Sequence, residues 1–162
     1  MSAQYEGTMY IRLGKAGEKP IFDSGKNYTA TIGELHCYQE SASQNLILGT
    51  GNILHEVVGF VQENKIDTAI WSVPFVKPLD ADRLCQLAAK HSNIIVMEEH
   101  QQSCGLGSAI IEKLSDSYSQ GLFPTFPHIR RIAIPDLYIF TSGSQQSLRR
   151  EVGLTLLPDY FV

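Results

Sequence analysis

From residue 46 onward, short runs of β-branched and aliphatic residues alternate with amphipathic stretches, the pattern expected of parallel strands joined by crossover helices. A parallel strand is covered on both faces, so it reads as a continuous apolar run rather than an alternating one. Leu46-Ile47-Leu48 predicts such a strand and Gly49-Thr50-Gly51 the turn after it. Asn52 then caps a helix whose Leu54, Val57, Val58 and Val61 recur at i, i+3, i+4 and i+7, with Lys65 suited to its C-terminal dipole. The order repeats. Residues 68–73 predict a second strand ended by Pro74, and after Pro78 the cap candidate Asp80 precedes Leu84, Leu87, Ala88 and His91 on one helical face. Residues 93–97 predict a third strand and 98–105 a polar loop. Leu106, Ala109, Ile110 and Leu114 mark a third helix, 129–134 a fourth strand and 145–151 a short last helix.

The first forty-five residues differ, being richer in Gly, Lys and turn formers. Met9, Ile11 and Leu13 alternate with Tyr10 and Arg12, which predicts a half-buried strand, and residues 14–27 read as an irregular linker. A weak strand over 32–37 is expected to join the sheet at an edge. The short loop 38–44 would make it one arm of a hairpin, hence antiparallel.

A chain of 162 residues with 43% hydrophobic and 19% charged residues has the length and composition of one packed domain rather than a disordered chain. Its apolar runs fall far short of the ~20 residues that cross a bilayer, and the first residues carry no basic-then-apolar signal pattern. A formal charge of −4 argues against general affinity for nucleic-acid phosphates or anionic membranes, and the doublets Arg130-Arg131 and Arg149-Arg150 are too short to reverse it. Three cysteines, Cys37, Cys85 and Cys104, with no CxxC spacing suggest neither a disulfide framework nor a zinc site; free thiols and a cytoplasmic location are expected.

Open α/β sheets place their sites beyond the carboxyl ends of the parallel strands, where the segments 49–51, 74–78, 98–105 and 135–143 should gather. Gly49-Thr50-Gly51 at a helix start could cradle a phosphate. Leu54 stands where a G-x-G-x-x-G pattern needs its third glycine, which favours a tight structural turn. Glu98-Glu99-His100 is the densest ionisable cluster and suits either acid–base chemistry or an ion-paired interface. Two contiguous residues of one strand point to opposite faces, so the glutamates should not share a site. Cys104, four residues after His100 and just before a helix start, could be a nucleophile or a space-filling thiol. His36, His55, His91 and His128 lack metal-ligand spacing and read as surface or helix-end residues.

Taken in order, Gly49-Thr50-Gly51, Pro74-x-x-Lys77-Pro78-Leu79-Asp80, Glu98-Glu99-His100 through Gly105-Leu106-Gly107-Ser108-Ala109, Ile134-Pro135-Asp136, Ser142-Gly143-Ser144 and Val152-Gly153-Leu154-Thr155 resemble the C-terminal domain of transketolases over about residues 30–157. Two departures stand out. Cys104 occupies a usual glycine position, and Tyr138-Ile139-Phe140-Thr141 replaces a Phe-Gly-Glu stretch. The resemblance implies a three-layer α/β/α domain with a mixed five-stranded sheet and one antiparallel edge strand. Residues 8–14 resemble the last strand of the preceding pyrimidine domain, so 1–29 would be the end of that domain plus a linker and 30–162 the C-terminal domain. It further implies partner domains or a partner subunit for pyrophosphate and pyrimidine, a homo-oligomer, and thiamine diphosphate with magnesium bound there rather than by this chain alone. The whole enzyme would transfer a two-carbon ketol unit between sugar phosphates, this domain serving assembly without catalytic residues. Glu98, Glu99, His100, Gly105, Gly107, Gly49 and Gly51 are then candidates for an interface or ligand loop. Two alternatives stand: a free-standing module holding a small anion at the helix starts after Gly51 and Gly105, or the similar third domain of a deoxyxylulose-phosphate synthase or a 2-oxoacid dehydrogenase beta subunit.

Overall fold

A computed structural model describes residues 5–14, 17–22 and 31–162. Strands β1 (His36–Gln39), β2 (Asn45–Gly49), β3 (Ala69–Ser72), β4 (Asn93–Gln101) and β5 (His128–Ile134) form one sheet in the order β1-β3-β2-β4-β5. Helices α1 (Ile53–Asn64), α2 (Ala81–Lys90), α3 (Leu106–Ser119) and α4 (Gln145–Glu151) follow β2, β3, β4 and β5 respectively, and residues 158–160 form a 3-10 turn. All pairings are parallel except β1 with β3. This is the three-layer α/β/α arrangement with an antiparallel edge strand that the resemblance implies.

Alternation along the strands sends side chains into two cores. Leu46, Leu48, Trp71, Ile94 and Val96 pack with Leu84, Leu87, Ile110 and Leu114 of α2 and α3. Ile47, Ile70, Ile95 and Met97 pack with Ile53, Leu54, Val57 and Val61 of α1 and with Val152, Leu154 and Leu156 of the C-terminal segment. Every residue of β2 and β3 is buried, which is why these strands read as unbroken apolar runs.

The amino ends of the strands are closed mainly by side-chain amides. Asn93 Nδ2 donates to Asn45 Oδ1 at 2.8 Å and to the Tyr160 carbonyl at 2.8 Å. Asn45 Nδ2 donates to the Val162 carbonyl at 2.9 Å and its Oδ1 accepts the Val162 N–H at 3.1 Å. The Arg130 guanidinium lies 4.2 Å over the Tyr160 ring. The last residues of the chain are thereby fastened across the bottom of β2, β4 and β5.

Several local expectations change. Asp80 caps α2 as predicted, accepting the Arg83 N–H at 2.9 Å, but Asn52 makes no side-chain cap. Lys65 ends α1 through its own left-handed backbone, φ 54°, with its N–H on the Val61 and Gln62 carbonyls. His91 ends α2 as its C-cap, but it is buried rather than at the surface, with Nδ1 2.9 Å from the Ser43 carbonyl. The edge strand is β1, antiparallel as expected, yet its neighbour is β3 and not β2. The connection between β1 and β2 straddles the start of β3, where Ser41 Oγ donates to Asp67 Oδ1 and Ser43 Oγ to the Asp67 carbonyl. Residues 9–13 form no strand and run exposed apart from a half-buried Met9, since no neighbouring strand offers them a ladder. The predicted linker and the boundary near residue 29 lie partly outside the described residues. Among the described residues no helix is long and apolar enough to cross a membrane.

Candidate functional site

Strand β4 continues to Gln101, so Glu98-Glu99-His100 belongs to its end and not to a loop. Polar residues in a strand next to the sheet edge leave no apolar signature, and a register shift between Met97 and Gln101 further breaks the pattern. Strand alternation sends the two glutamates to opposite faces, where each meets a different partner.

Glu98 turns toward α3 and is 1% exposed. Its Oε2 accepts the Leu106 N–H at 2.6 Å and its Oε1 the Gly107 N–H at 2.8 Å. A helix start leaves its first N–H groups without internal partners and carries a partial positive charge, so a buried carboxylate is held there by two charge-assisted hydrogen bonds. This contact explains the Gly-Leu-Gly sequence. A Cβ at Gly105 would overlap the Glu98 carboxylate, and one at Gly107 would come within 2.7 Å of Arg131 Cδ. Arg131 Nη1 donates to the Gln102 carbonyl at 2.9 Å and to Ser108 Oγ at 3.2 Å. Ser108 Oγ in turn donates to that carbonyl and accepts the Cys104 N–H.

Glu99 turns toward α4. Its Oε1 accepts Arg149 Nε at 2.8 Å and Gln145 Nε2 at 3.1 Å, while Arg149 Nη1 reaches Glu56 Oε1 on α1 at 2.9 Å. Arg149 is 6% exposed and Glu99 and Glu56 only partly covered. Burial works against the arginine's charge, but the hydrogen bond and charge of Glu99, then those of Glu56, more than offset it, and its pKa is raised. Arg149 and Glu56 border a cleft of about 290 Å³ with Phe60, Met97 and Leu154. Sequence reasoning noted Arg149 only as half of a basic doublet. A cation in the last turn of a helix that returns to the carboxyl edge was the available signal.

All four expected segments follow parallel strands and so start at the carboxyl edge, with contacts between side chains joining those around Glu99 and Gln145. The 74–78 segment, after β3, runs to Pro78, packed against Gly33 ahead of β1. Gly49 ends β2 with Leu54 Cδ2 2.7 Å from where a Cβ would stand, and Gly51 takes φ +73°. His100 is exposed, its Nδ1 3.1 Å from the Gln101 carbonyl. Cys104 is also exposed, at φ 62°.

An anionic cofactor tail needs free N–H donors, and four of the N–H groups at these helix starts are already used. The N–H groups of Leu106 and Gly107 hold Glu98, and those of Leu54 and His55 bond the carbonyls of Gly51 and Asn52. Among the described residues no group of three or more His, Cys, Asp or Glu side chains could hold a metal ion. A diphosphate does not fit the α3 start, which the Glu98 carboxylate fills.

The family model for the transketolase C-terminal domain matches residues 34–156. A 1-deoxy-D-xylulose-5-phosphate synthase of Magnetococcus marinus is 35% identical over 146 residues, covering 88% of this chain and 21% of that protein. One of Prochlorococcus marinus is 31% identical over 158 residues, covering 94% of this chain and 23% of that protein. Among solved structures, a split gene transketolase described as an inactive beta4 tetramer superposes with a TM-score of 0.78 at 25% identity, over 95% of this chain and 48% of that one. The chain thus spans under a quarter of the length of these curated relatives. With a sheet order, a helix set and a family match that agree over residues 34–156, the chain belongs to the transketolase C-terminal domain family.

Proposed function

We infer that this chain serves as the assembly domain of a thiamine-diphosphate enzyme of the transketolase type, orienting partner domains without supplying catalytic groups. The observation that carries this reading is the internal use of Glu98 and Glu99: one is committed to two N–H groups of α3, the other to Arg149 and Gln145. A general acid or base must be free to exchange a proton with substrate, and neither carboxylate is placed for that. The same contact weakens the free-standing anion-binding alternative, because a protein carboxylate already fills the α3 start.

In the complete enzyme, thiamine diphosphate supplies the electron sink for ketol chemistry, and the groups that hold it lie on the pyrophosphate and pyrimidine domains. A beta4 assembly in the split gene neighbour supports an oligomer for this domain too. The relatives from Magnetococcus and Prochlorococcus favour a second reading of the whole enzyme's product, 1-deoxy-D-xylulose 5-phosphate rather than exchanged sugar phosphates. One titration tests the assembly reading. Thiamine diphosphate with magnesium is added to the full chain alone, then to the chain mixed with the part of the Magnetococcus synthase that precedes the matched region. Heat of binding only in the mixture is expected; saturable binding by the chain alone would refute it.

A further inference from the structure

The connection between β5 and α4 exposes four consecutive apolar side chains: Leu137 (43% exposed), Tyr138 (86%), Ile139 (40%) and Phe140 (93%). It is tied down at its far end, where Thr141 Oγ1 donates to the Glu151 carboxylate at 2.6 Å, and the Tyr138 and Phe140 rings stand 6.3 Å apart. Isolated exposed apolar residues are ordinary, whereas a contiguous run on a supported loop marks a surface that another molecule covers.

A second segment lies at the same edge. Arg12 Nη1 donates to the Glu99 carbonyl at 3.3 Å, bringing residues 5–14 to the end of β4, and Tyr10 and Leu13 there are mostly exposed. Glu99 also holds Gln145, at the start of the helix into which the 135–143 loop leads. Both apolar segments thus flank one residue at the carboxyl edge.

What covers this face follows from how far the relatives match. The Prochlorococcus match takes in 94% of this chain, so it necessarily includes residues ahead of Glu34, where the family domain begins. The match covers 23% of that protein, and since the matching family is described as a C-terminal domain, the larger part of such a protein precedes it. A domain attached through residues 5–14 is delivered to the carboxyl edge by the Arg12–Glu99 contact. The only side chain of the 135–143 loop that is charged at neutral pH is Asp136, which gives an anionic membrane nothing to attract.

We propose that Leu137, Tyr138 and Phe140, with Tyr10 and Leu13, form the face on which the domain preceding this one docks, whether it is joined to this chain or supplied separately. The proposal rests on the assembly reading and names its surface. Its test is amide hydrogen exchange on the full chain, alone and with the preceding part of the Magnetococcus synthase. Slowed exchange at residues 9–13 and 136–141 is expected. A Y138S/F140S variant should bind that probe at least tenfold more weakly with an unchanged melting temperature, whereas L122S, at an exposed site beyond α3, should bind as the parent does. Binding with protection elsewhere, or with an unaffected double variant, overturns the face while leaving the assembly reading intact. No association of the parent chain overturns both. Protection of the same residues that grows with the concentration of the chain alone would assign the face to a second copy and overturn the proposed occupant.

Discussion

The two ends of the sheet are closed by different chemistry. At the amino end, the side-chain amides of Asn45 and Asn93 hydrogen-bond each other and the backbone of residues 160–162, and the nearby cation Arg130 lies on the Tyr160 ring rather than in an ion pair. At the carboxyl end the closures are ionic: Glu98 on the α3 start, and Arg149 between Glu99 and Glu56. A neutral amide network fixes geometry at low desolvation cost, and its strength is insensitive to salt and to moderate pH. Buried and half-buried charges tolerate loss of a partner poorly, so the carboxyl end is fixed in one arrangement by the penalty for any other. The polar residues at this end fix its shape through contacts made within the domain.

Substitutions at the two ends can break this contrast. The largest effect is expected for Glu98→Ala, which strands two buried N–H groups and leaves a void beneath α3. Chemical denaturation should show a loss of about 3–4 kcal/mol, with Glu98→Gln recovering about half through its remaining acceptor. Arg149→Met should cost about 2 kcal/mol, below the range for a fully buried pair because Glu99 and Glu56 retain some solvent. Its cost should shrink as salt is raised, and a double-mutant cycle with Glu99→Gln should give a coupling of about 1 kcal/mol. At the amino end, Asn93→Ala removes donors to Asn45 and to the Tyr160 carbonyl. A loss of about 1–2 kcal/mol that does not change with salt is expected, and an equal salt dependence at the two ends would erase the distinction.

The smallest effect concerns the edge strand. Cys37 keeps an exposed surface, yet partial desolvation first, then the negative charge of Glu40 and a hydrogen bond to it, push its thiol up from 9.0 to about 11, against a smaller opposing influence of Arg83. Because the folded value exceeds the unfolded one, the unfolded chain releases this proton first. Cys37 therefore subtracts stability as pH rises from about 9 toward 11 and is neutral below that window. Alkylation of Cys37 in the folded chain, followed by mass spectrometry, should rise with a midpoint near pH 11, and a midpoint near 9 would show the thiol to be solvated.

Much of the fold was legible because it depends on features that sequence displays. Continuous apolar runs gave β2, β3 and the first half of β4, and apolar spacing gave the buried faces of α1, α2 and α3. What stayed hidden depended on contacts between distant residues. Nothing local to Glu98 distinguishes it from the exposed His100; its burial follows from N–H groups of residues 106 and 107, which only the turn after β4 brings to it. The Arg149 bridge spans fifty residues to Glu99 and 93 to Glu56, beyond any periodicity. Loop length alone could not tell whether β1 pairs with β2 or steps over β3, and Asp67 decided it by holding Ser41 and Ser43. The candidate site was half visible: its residues were named, but their inward commitment was not.

Turnover is the most direct test of the central claim that this domain assembles an enzyme without performing its chemistry. The chain is assayed with thiamine diphosphate and magnesium for ketol transfer between sugar phosphates and for 1-deoxy-D-xylulose 5-phosphate formation, first alone and then with the preceding part of the Magnetococcus synthase. The account predicts no turnover by the chain alone and turnover restored in the mixture. Turnover by the chain alone, abolished by Glu99→Gln, would contradict it.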